Sequence, residues 1–259
     1  MPMTKDPNFA TYPSLSNRTV LITGGASGIG EKLVEAFAAQ SAQVIFLDIQ
    51  DEAAHALIHR LQQQGASTPI YFSSDLTDTA SLKSCLQTIQ ARFKIDVLIN
   101  NAGNDTRHTL EEVTSDLWDR TMAINLKHQF FVTQAITPGM KQRQRGSILN
   151  MSSIAWAIPS TGLPVYVTAK AAIVGLTRTL AHELGPHGIR VNCILPGAIL
   201  TERQKKLWFT DAYIAEVLSR QALKRLLIPE EVARLALFLA ADDSSAITNQ
   251  SYAIDGGWT

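Results

Sequence analysis

The sequence predicts a single-domain α/β protein: a doubly wound sheet of seven mainly parallel strands with helices on both faces. Three observations lead there. The chain has 259 residues, 46% hydrophobic and 18% charged, and α/β sheets commonly run to roughly 250 residues as one unit. Short apolar runs alternate with longer amphipathic ones, the pattern of strands covered on both sides by helices. No repeat, low-complexity tract or Pro/Ser-rich linker divides the chain.

Taken in order, residues 1–17 lack the apolar core of a signal peptide and read as an N-terminal tail; residues 18–259 form the domain. Strands are expected at 19–23 (TVLIT), 43–48 (QVIFLD), 70–73, 96–100 (DVLIN), 147–151 (SILNM), 190–194 and 251–254. Each is apolar or β-branched nearly throughout, as burial on both faces requires. Helical periodicity covers 30–40, 51–64, 79–93, 115–137, 165–184 and 230–241. The longest irregular piece, about 197–221, carries Trp208, Phe209 and Tyr213. It starts just beyond the carboxyl end of the sixth strand, where a substrate lid would sit.

Composition excludes several classes. With 23 basic and 23 acidic side chains there is no electrostatic footprint for nucleic acid or an anionic membrane, and no window approaches the roughly 18 apolar residues of a membrane span. Cys85 and Cys193 have neither CxxC nor His/Cys spacing, so they read as small apolar side chains in a reducing cytoplasm. His55 and His59 sit four apart but lack an HExxH glutamate or a third ligand. They read as a helix surface, and no metal site is expected.

Chemistry enters at Thr23-Gly24-Gly25-Ala26-Ser27-Gly28-Ile29-Gly30, between the first strand and the first helix. Glycines let the backbone turn sharply and approach a pyrophosphate, whose charge meets the N–H groups at the helix start. The spacing is GxxxGxG rather than GxGxxG, and no Lys-Ser/Thr follows to make a nucleoside triphosphatase loop. Asp48 ends the second strand, 18 positions after Gly30. A carboxylate there can accept both ribose hydroxyls of an adenosine and repel a 2′-phosphate, which selects NAD over NADP; the alternative is a solvated strand-end Asp. Asp75 beside Leu76 is a candidate adenine contact, with a turn role as the alternative.

Tyr166 and Lys170, four apart on a helix, share a face. A tyrosine titrates near pH ~10, so ionising it at pH 7 to 8 requires roughly 3 to 4 kcal/mol of stabilisation. A neighbouring ammonium and an oxidised nicotinamide have the right sign to supply it. Tyr166 would then be the general base that takes an alcohol proton while hydride leaves for the cofactor. Ser153, 13 positions before Tyr166, could hold the substrate oxygen against the phenol. Asn125, a polar residue in an apolar helical stretch, is either a structural bond to backbone or the anchor of a relay water.

TGGASGIG, the run 100–103 (NNAG), Asn125, Ser153, YVTAK, Pro196-Gly197 with Thr201, and the ending Ile254-Asp255-Gly256-Gly257-Trp258 together resemble the short-chain dehydrogenase/reductase family, in the family's order and over nearly the whole chain. The resemblance implies a Rossmann-like fold and an Asn–Ser–Tyr–Lys tetrad at Asn125, Ser153, Tyr166 and Lys170. It implies that Lys170 also binds the nicotinamide ribose, that Asn125 holds a relay water, that Asn101, Ala102 and Gly103 line the cofactor with Gly24, Ser27, Gly28, Ile29 and Gly30, and that Ile199 and Thr201 meet the carboxamide near Pro196 and Gly197. It also implies a homotetramer whose dimer interface pairs the helices at 115–137 and 165–184. Within the family, 104–113 (NDTRHTLEEV), 128–131 (HQFF) and 201–208 (TERQKKLW) resemble the bacterial sugar 1-dehydrogenases. Such enzymes bind sugars through fixed polar groups and an aromatic surface, here Asn104, Arg107, Trp156, Gln204 and Trp208. The expectation is therefore an NAD-dependent oxidation of the anomeric hydroxyl of a cyclic aldose to a lactone. Alternatives are another alcohol or ketone (a sugar acid, a 3-oxoacyl thioester, a steroid) or an NAD-sensing protein without turnover.

Overall fold

The structure is a computed structural model that describes residues 9–259; residues 1–8 of the expected tail lie outside it. Seven strands form one sheet in the order β3-β2-β1-β4-β5-β6-β7: β1 Thr19–Thr23, β2 Gln43–Asp48, β3 Ile70–Ser73, β4 Val97–Asn100, β5 Gly146–Met151, β6 Ile189–Pro196 and β7 Ser251–Ile254. Every neighbouring pair is parallel. The order reverses between β1 and β4, which opens a crevice at the carboxyl ends of the strands, where ligands bind in such sheets.

Alternate residues along β1 face opposite layers. Val20 and Ile22 join Phe37 of α1 (Gly28–Ala39) and Ala236 of α9 (Pro229–Ala240) in one buried layer. Leu21 joins Leu86 of α3 (Thr79–Arg92) and Ile136 of α5 (His128–Arg143) in the other. Burying each of the larger of these side chains contributes roughly 1.5–3 kcal/mol. The remaining helices are α2 Asp51–Gln63, α4 Ser115–Met122, α6 Pro164–Leu184, α7 Glu202–Leu207 and α8 Asp211–Arg220. None among the described residues is long and apolar enough to cross a membrane.

Three segments differ from expectation. The helix foreseen over 115–137 is α4 joined to α5 through a π-helical turn, Ala123–Lys127, and it continues past Pro138 to Arg143. Proline removes the N–H that would bond the Gln134 carbonyl; the Thr137 hydroxyl donates to that carbonyl instead, at 3.4 Å. The segment read as irregular over 197–221 contains α7 and α8, each started by a threonine whose hydroxyl accepts a first-turn N–H: Thr201 from Gln204 and Thr210 from Tyr213. Finally, part of the stretch read as a tail is packed, with Leu15 fully buried and Tyr12 against Phe238.

Candidate active site

The glycine turn lies where β1 ends and α1 begins. Gly24 and Gly28 have positive φ, +68° and +59°, which glycine adopts without penalty. A side chain at Gly30 would place its Cβ 1.7 Å from the Gly24 carbonyl oxygen, so the turn closes only over a bare Cα. Ser27 makes no side-chain cap, leaving the first-turn N–H groups of α1 free of side-chain acceptors. Uncapped amides at the positive end of a helix, reached over glycines, fit a pyrophosphate. Asn101 braces the turn from β4, its Nδ2 donating to the carbonyls of Thr23 (3.1 Å) and Gly24 (2.9 Å), while the Ala102 N–H donates to the Thr23 hydroxyl. The Thr201 methyl stands 3.4 Å from where a Cβ on Gly28 would lie, so the segment Pro196–Thr201, with buried Ile199, closes over the turn.

Asp48 is buried rather than solvated. Its Oδ2 accepts from the Ala26 N–H (2.8 Å), and its Oδ1 accepts from the N–H groups of Ile49 (2.8 Å) and Gln50 (3.1 Å). The carboxylate thus ties β2 to the glycine turn and leaves no cation beside it among these contacts. Asp75 is exposed and closes a turn, its Oδ1 accepting from the Thr77 N–H and hydroxyl, while Leu76 is buried next to it.

Across the crevice the four tetrad positions converge from three places: the π turn, the residues after β5, and α6. Ser153 follows β5, and its hydroxyl oxygen accepts from the Ala155 N–H at 3.1 Å, which leaves its own proton to donate. Tyr166 and Lys170 lie on one face of α6, the ammonium 5.5 Å from the phenol ring centroid. Lys170 is buried, and its Nζ donates to the Met151 carbonyl at 3.0 Å. The adjoining Ser152 hydroxyl donates to the Lys170 carbonyl at 2.6 Å. Gly103 lies between the two polar groups: a Cβ there would stand 3.0 Å from Asn125 Oδ1 and 3.1 Å from Lys170 Nζ.

Two expectations meet the geometry here, and the first, left open between a backbone bond and a relay water at Asn125, finds its side chain on the backbone side. The side chain of Asn125, in the π turn, is spent on backbone. Its Oδ1 accepts from the Asn104 N–H (2.9 Å), and its Nδ2 donates to the carbonyls of Asn104 (2.9 Å) and Thr121 (3.0 Å). The other concerns Tyr166, whose phenol is shifted up rather than down. Burial raises it most and the charge of Asp105 next, against a lowering hydrogen bond from Ser153. Burial also draws Lys170 down to about 8. The protein alone therefore favours the neutral phenol, because burial and the Asp105 carboxylate both disfavour its anion.

Of the residues expected at the substrate, Arg107 and Trp208 meet each other, while Asn104 and Gln204 meet neighbouring polar side chains. Asn104 Oδ1 accepts from Thr106 and from Arg203. The Arg107 guanidinium lies 4.3 Å from the Trp208 ring centroid and 5.7 Å from that of Tyr213. Gln204 Nε2 donates to Asp105 Oδ2 at 2.6 Å. Trp156 is exposed on the turn after Ser153, and the buried Trp208 indole N–H has no protein acceptor. His108 serves the scaffold: its Nδ1 meets the Thr106 carbonyl and its Nε2 accepts from the Val165 N–H at the start of α6.

Sequence reasoning quoted Asp105, His128 and Gln129 only within the segments that carry the resemblance and gave none of them a role of its own. The buried Gln129 amide donates to the carbonyls of Asn125 (3.4 Å) and Met151 (3.3 Å), linking Asn125 to the acceptor of Lys170. His128 Nε2 meets the Ala102 carbonyl at 3.1 Å, and burial pushes the imidazole down to about 3. It is therefore neutral at physiological pH, with Nε2 as the donor. A His-Gln pair interrupting an apolar helix face was the available signal.

A family profile described as enoyl-(acyl carrier protein) reductase matches residues 24–259. D-xylose 1-dehydrogenase of Caulobacter vibrioides is 48% identical over 249 residues, 96% of this chain and 98% of that protein. The chain is a short-chain dehydrogenase/reductase. It is also 46% identical over 247 residues, 95% of this chain and 96% of the other, to a Rhizobium meliloti protein named "Probable galactose dehydrogenase GalD". The solved structure of a Brucella melitensis 3-oxoacyl-[acyl-carrier protein] reductase with bound NAD is 33% identical, with a TM-score of 0.87 over 100% of this chain and 97% of that one. Short-chain dehydrogenases are oxidoreductases of CH–OH groups that use a nicotinamide dinucleotide, NAD or NADP. The glycine turn and uncapped helix of this dehydrogenase fit the pyrophosphate of such a cofactor.

Proposed function

We propose that this dehydrogenase oxidises the anomeric hydroxyl of a cyclic aldose to the lactone with NAD. The observation that carries the chemistry is the convergence of Ser153, Tyr166 and Lys170 opposite the glycine turn, within one crevice. Similarity of 46–48% to proteins named for galactose and D-xylose carries the substrate class. The preference for NAD rests on Asp48: a 2′-phosphate would meet a buried carboxylate with no Lys or Arg among its hydrogen-bond partners.

In this reading a bound dinucleotide would supply the acceptor for the anomeric hydride. Gly24, Ser27, Gly28, Ile29 and Gly30 would hold its pyrophosphate, and Asp48 and the 75–76 turn its adenosine. Asn101, Ala102, Gly103, Ile199, Thr201 and Lys170 would hold its nicotinamide end. Ser153 donates to the substrate oxygen and steadies it as its charge rises. Tyr166 takes the alcohol proton. It ionises only when positive charge gathers around it, from Lys170 and an oxidised ring, because burial and Asp105 otherwise keep it protonated. Asn125 clamps the Asn104 backbone, and its carbonyl, tied to Gln129, is the place left on it for a relay water. Asn104, Arg107, Trp156, Gln204 and Trp208 surround the sugar.

The same reading makes the enzyme a cytoplasmic homotetramer. Leu126, Phe130 and Phe131 at the π turn and α5, with Ala172 and Leu176 of α6, line an apolar surface groove, where the helices of two copies would meet. A panel of pentoses, hexoses, 6-deoxyhexoses, sugar acids, a 3-oxoacyl thioester and a steroid alcohol, each with NAD and NADP, tests substrate and cofactor together. The expected result is NAD reduction on aldoses with lactone as product. Turnover confined to the thioester or the steroid would overturn it.

A further inference from the structure

The charge on Asp105 opposes the chemistry around it. After burial it is the largest cause holding the Tyr166 phenol protonated, although oxidation needs that phenol to ionise. Asp105 is also fixed from two sides. The backbone of its predecessor, Asn104, is clamped at both polar atoms by Asn125, and its Oδ2 accepts from Gln204 of α7 at 2.6 Å. Its Oδ1 has only long contacts, to Arg203 Nη2 and Nε at 3.5 Å. The side chain is about one-quarter exposed. One oxygen is anchored, and the other, held only by a long ion pair to Arg203 on a partly exposed side chain, keeps acceptor capacity. An ionised carboxylate only accepts hydrogen bonds, and the donors that a cyclic aldose offers are its ring hydroxyls.

We propose that Asp105 is a specificity-determining residue whose Oδ1 accepts a hydrogen bond from a secondary ring hydroxyl of the aldose other than the one oxidised, while Gln204 holds its Oδ2 and ties α7 over the sugar. The inference rests on the aldose reading and names the residue that selects polyhydroxylated substrates. A substrate without that hydroxyl would desolvate the carboxylate and leave it unpaired, which is how a polar site rejects a less polar analogue.

The test compares the aldose with each of its monodeoxy analogues in the full-length wild type, Asp105→Ala and Asp105→Asn, with NAD binding by fluorescence as the check on folding. The wild type is expected to lose about 10- to 100-fold in kcat/KM on one analogue, the size of a hydrogen bond to a charged group. In both variants the parent sugar falls toward that analogue and the difference between them shrinks to about threefold or less. Asp105→Asn, which keeps the shape, also moves the acid limb of kcat to lower pH. The other groups facing the phenol or Asp105 remain in place there: Lys170 beside the phenol on α6, and Arg203 on α7 and Tyr213 on α8 around Asp105, with Arg107 beside Tyr213. A wild type indifferent to every deoxygenation, or variants that discriminate as it does, would overturn the assignment of Asp105 alone. A wild type that oxidises no aldose would remove the sugar reading and this inference with it.

Discussion

On the wall of the crevice built by β1, β2 and β4, polar side chains bond to backbone: Asn101 to the carbonyls of the glycine turn, Asp48 to three N–H groups. On the facing wall, formed by residues 104–109 with α7 and α8, the contacts that join the loop to the helices run from side chain to side chain: Gln204 with Asp105, Arg203 with Asn104, Arg107 over Trp208. A wall locked through its backbone presents one fixed shape and suits a ligand that never changes. A wall held by exchangeable side chains can be altered for a different substrate without disturbing the sheet. The tetrad sits on the seam, with Asn125 reaching across to clamp the start of the variable wall.

The largest expected effect comes from the backbone-locked wall. Gly30→Ala drives a methyl into the Gly24 carbonyl. We expect a loss of at least about 1 to 3 kcal/mol of stability, as for overpacking, and dinucleotide binding weaker by at least about 100-fold in a fluorescence titration. On the seam, Lys170→Met abolishes turnover and leaves a signature in stability. Burial holds Lys170 at about 8 against an ordinary 10.5, so between those values the unfolded chain binds more protons and folding stability rises with pH. Urea unfolding from pH 7.5 to 10.5 should therefore favour the wild type over Lys170→Met by up to about 3 kcal/mol more at the alkaline end. A constant gap would remove the buried charge from the account. The smallest effect belongs to the exchangeable wall: Arg107→Ala gives up a cation–π contact of about 0.5–1 kcal/mol. It should raise the substrate KM a few-fold and leave the dinucleotide Kd unchanged, and equal changes in both constants would erase the distinction between the walls.

The contrast also explains what could be read without coordinates. Strands such as Thr19–Thr23 were legible because burial on both faces requires an apolar run, and the glycine turn because its requirement for bare Cα atoms is local. The helix end expected at Thr137 was misplaced because Pro138 mimics a stop, and the π turn at Asn125 adds a residue with no mark in the sequence. α7 and α8 did carry a sign: Thr201 before Glu202 and Thr210 before Asp211 are ordinary helix starts. Asp105 was not legible, because its partner Gln204 lies 99 positions away in sequence. The upward shift of Tyr166 depends on burial and on that same carboxylate, neither of which the YxxxK spacing contains.

Tyr166→Phe tests the central claim most directly, because it removes one hydroxyl and leaves the ring in place. With the best alcohol from the substrate panel, kcat should fall by about 10²- to 10⁴-fold, the range for losing a general base, while the dinucleotide Kd stays within about twofold. Turnover within a few-fold of the wild type would contradict the account, since the proton would then be leaving by a route that bypasses Tyr166.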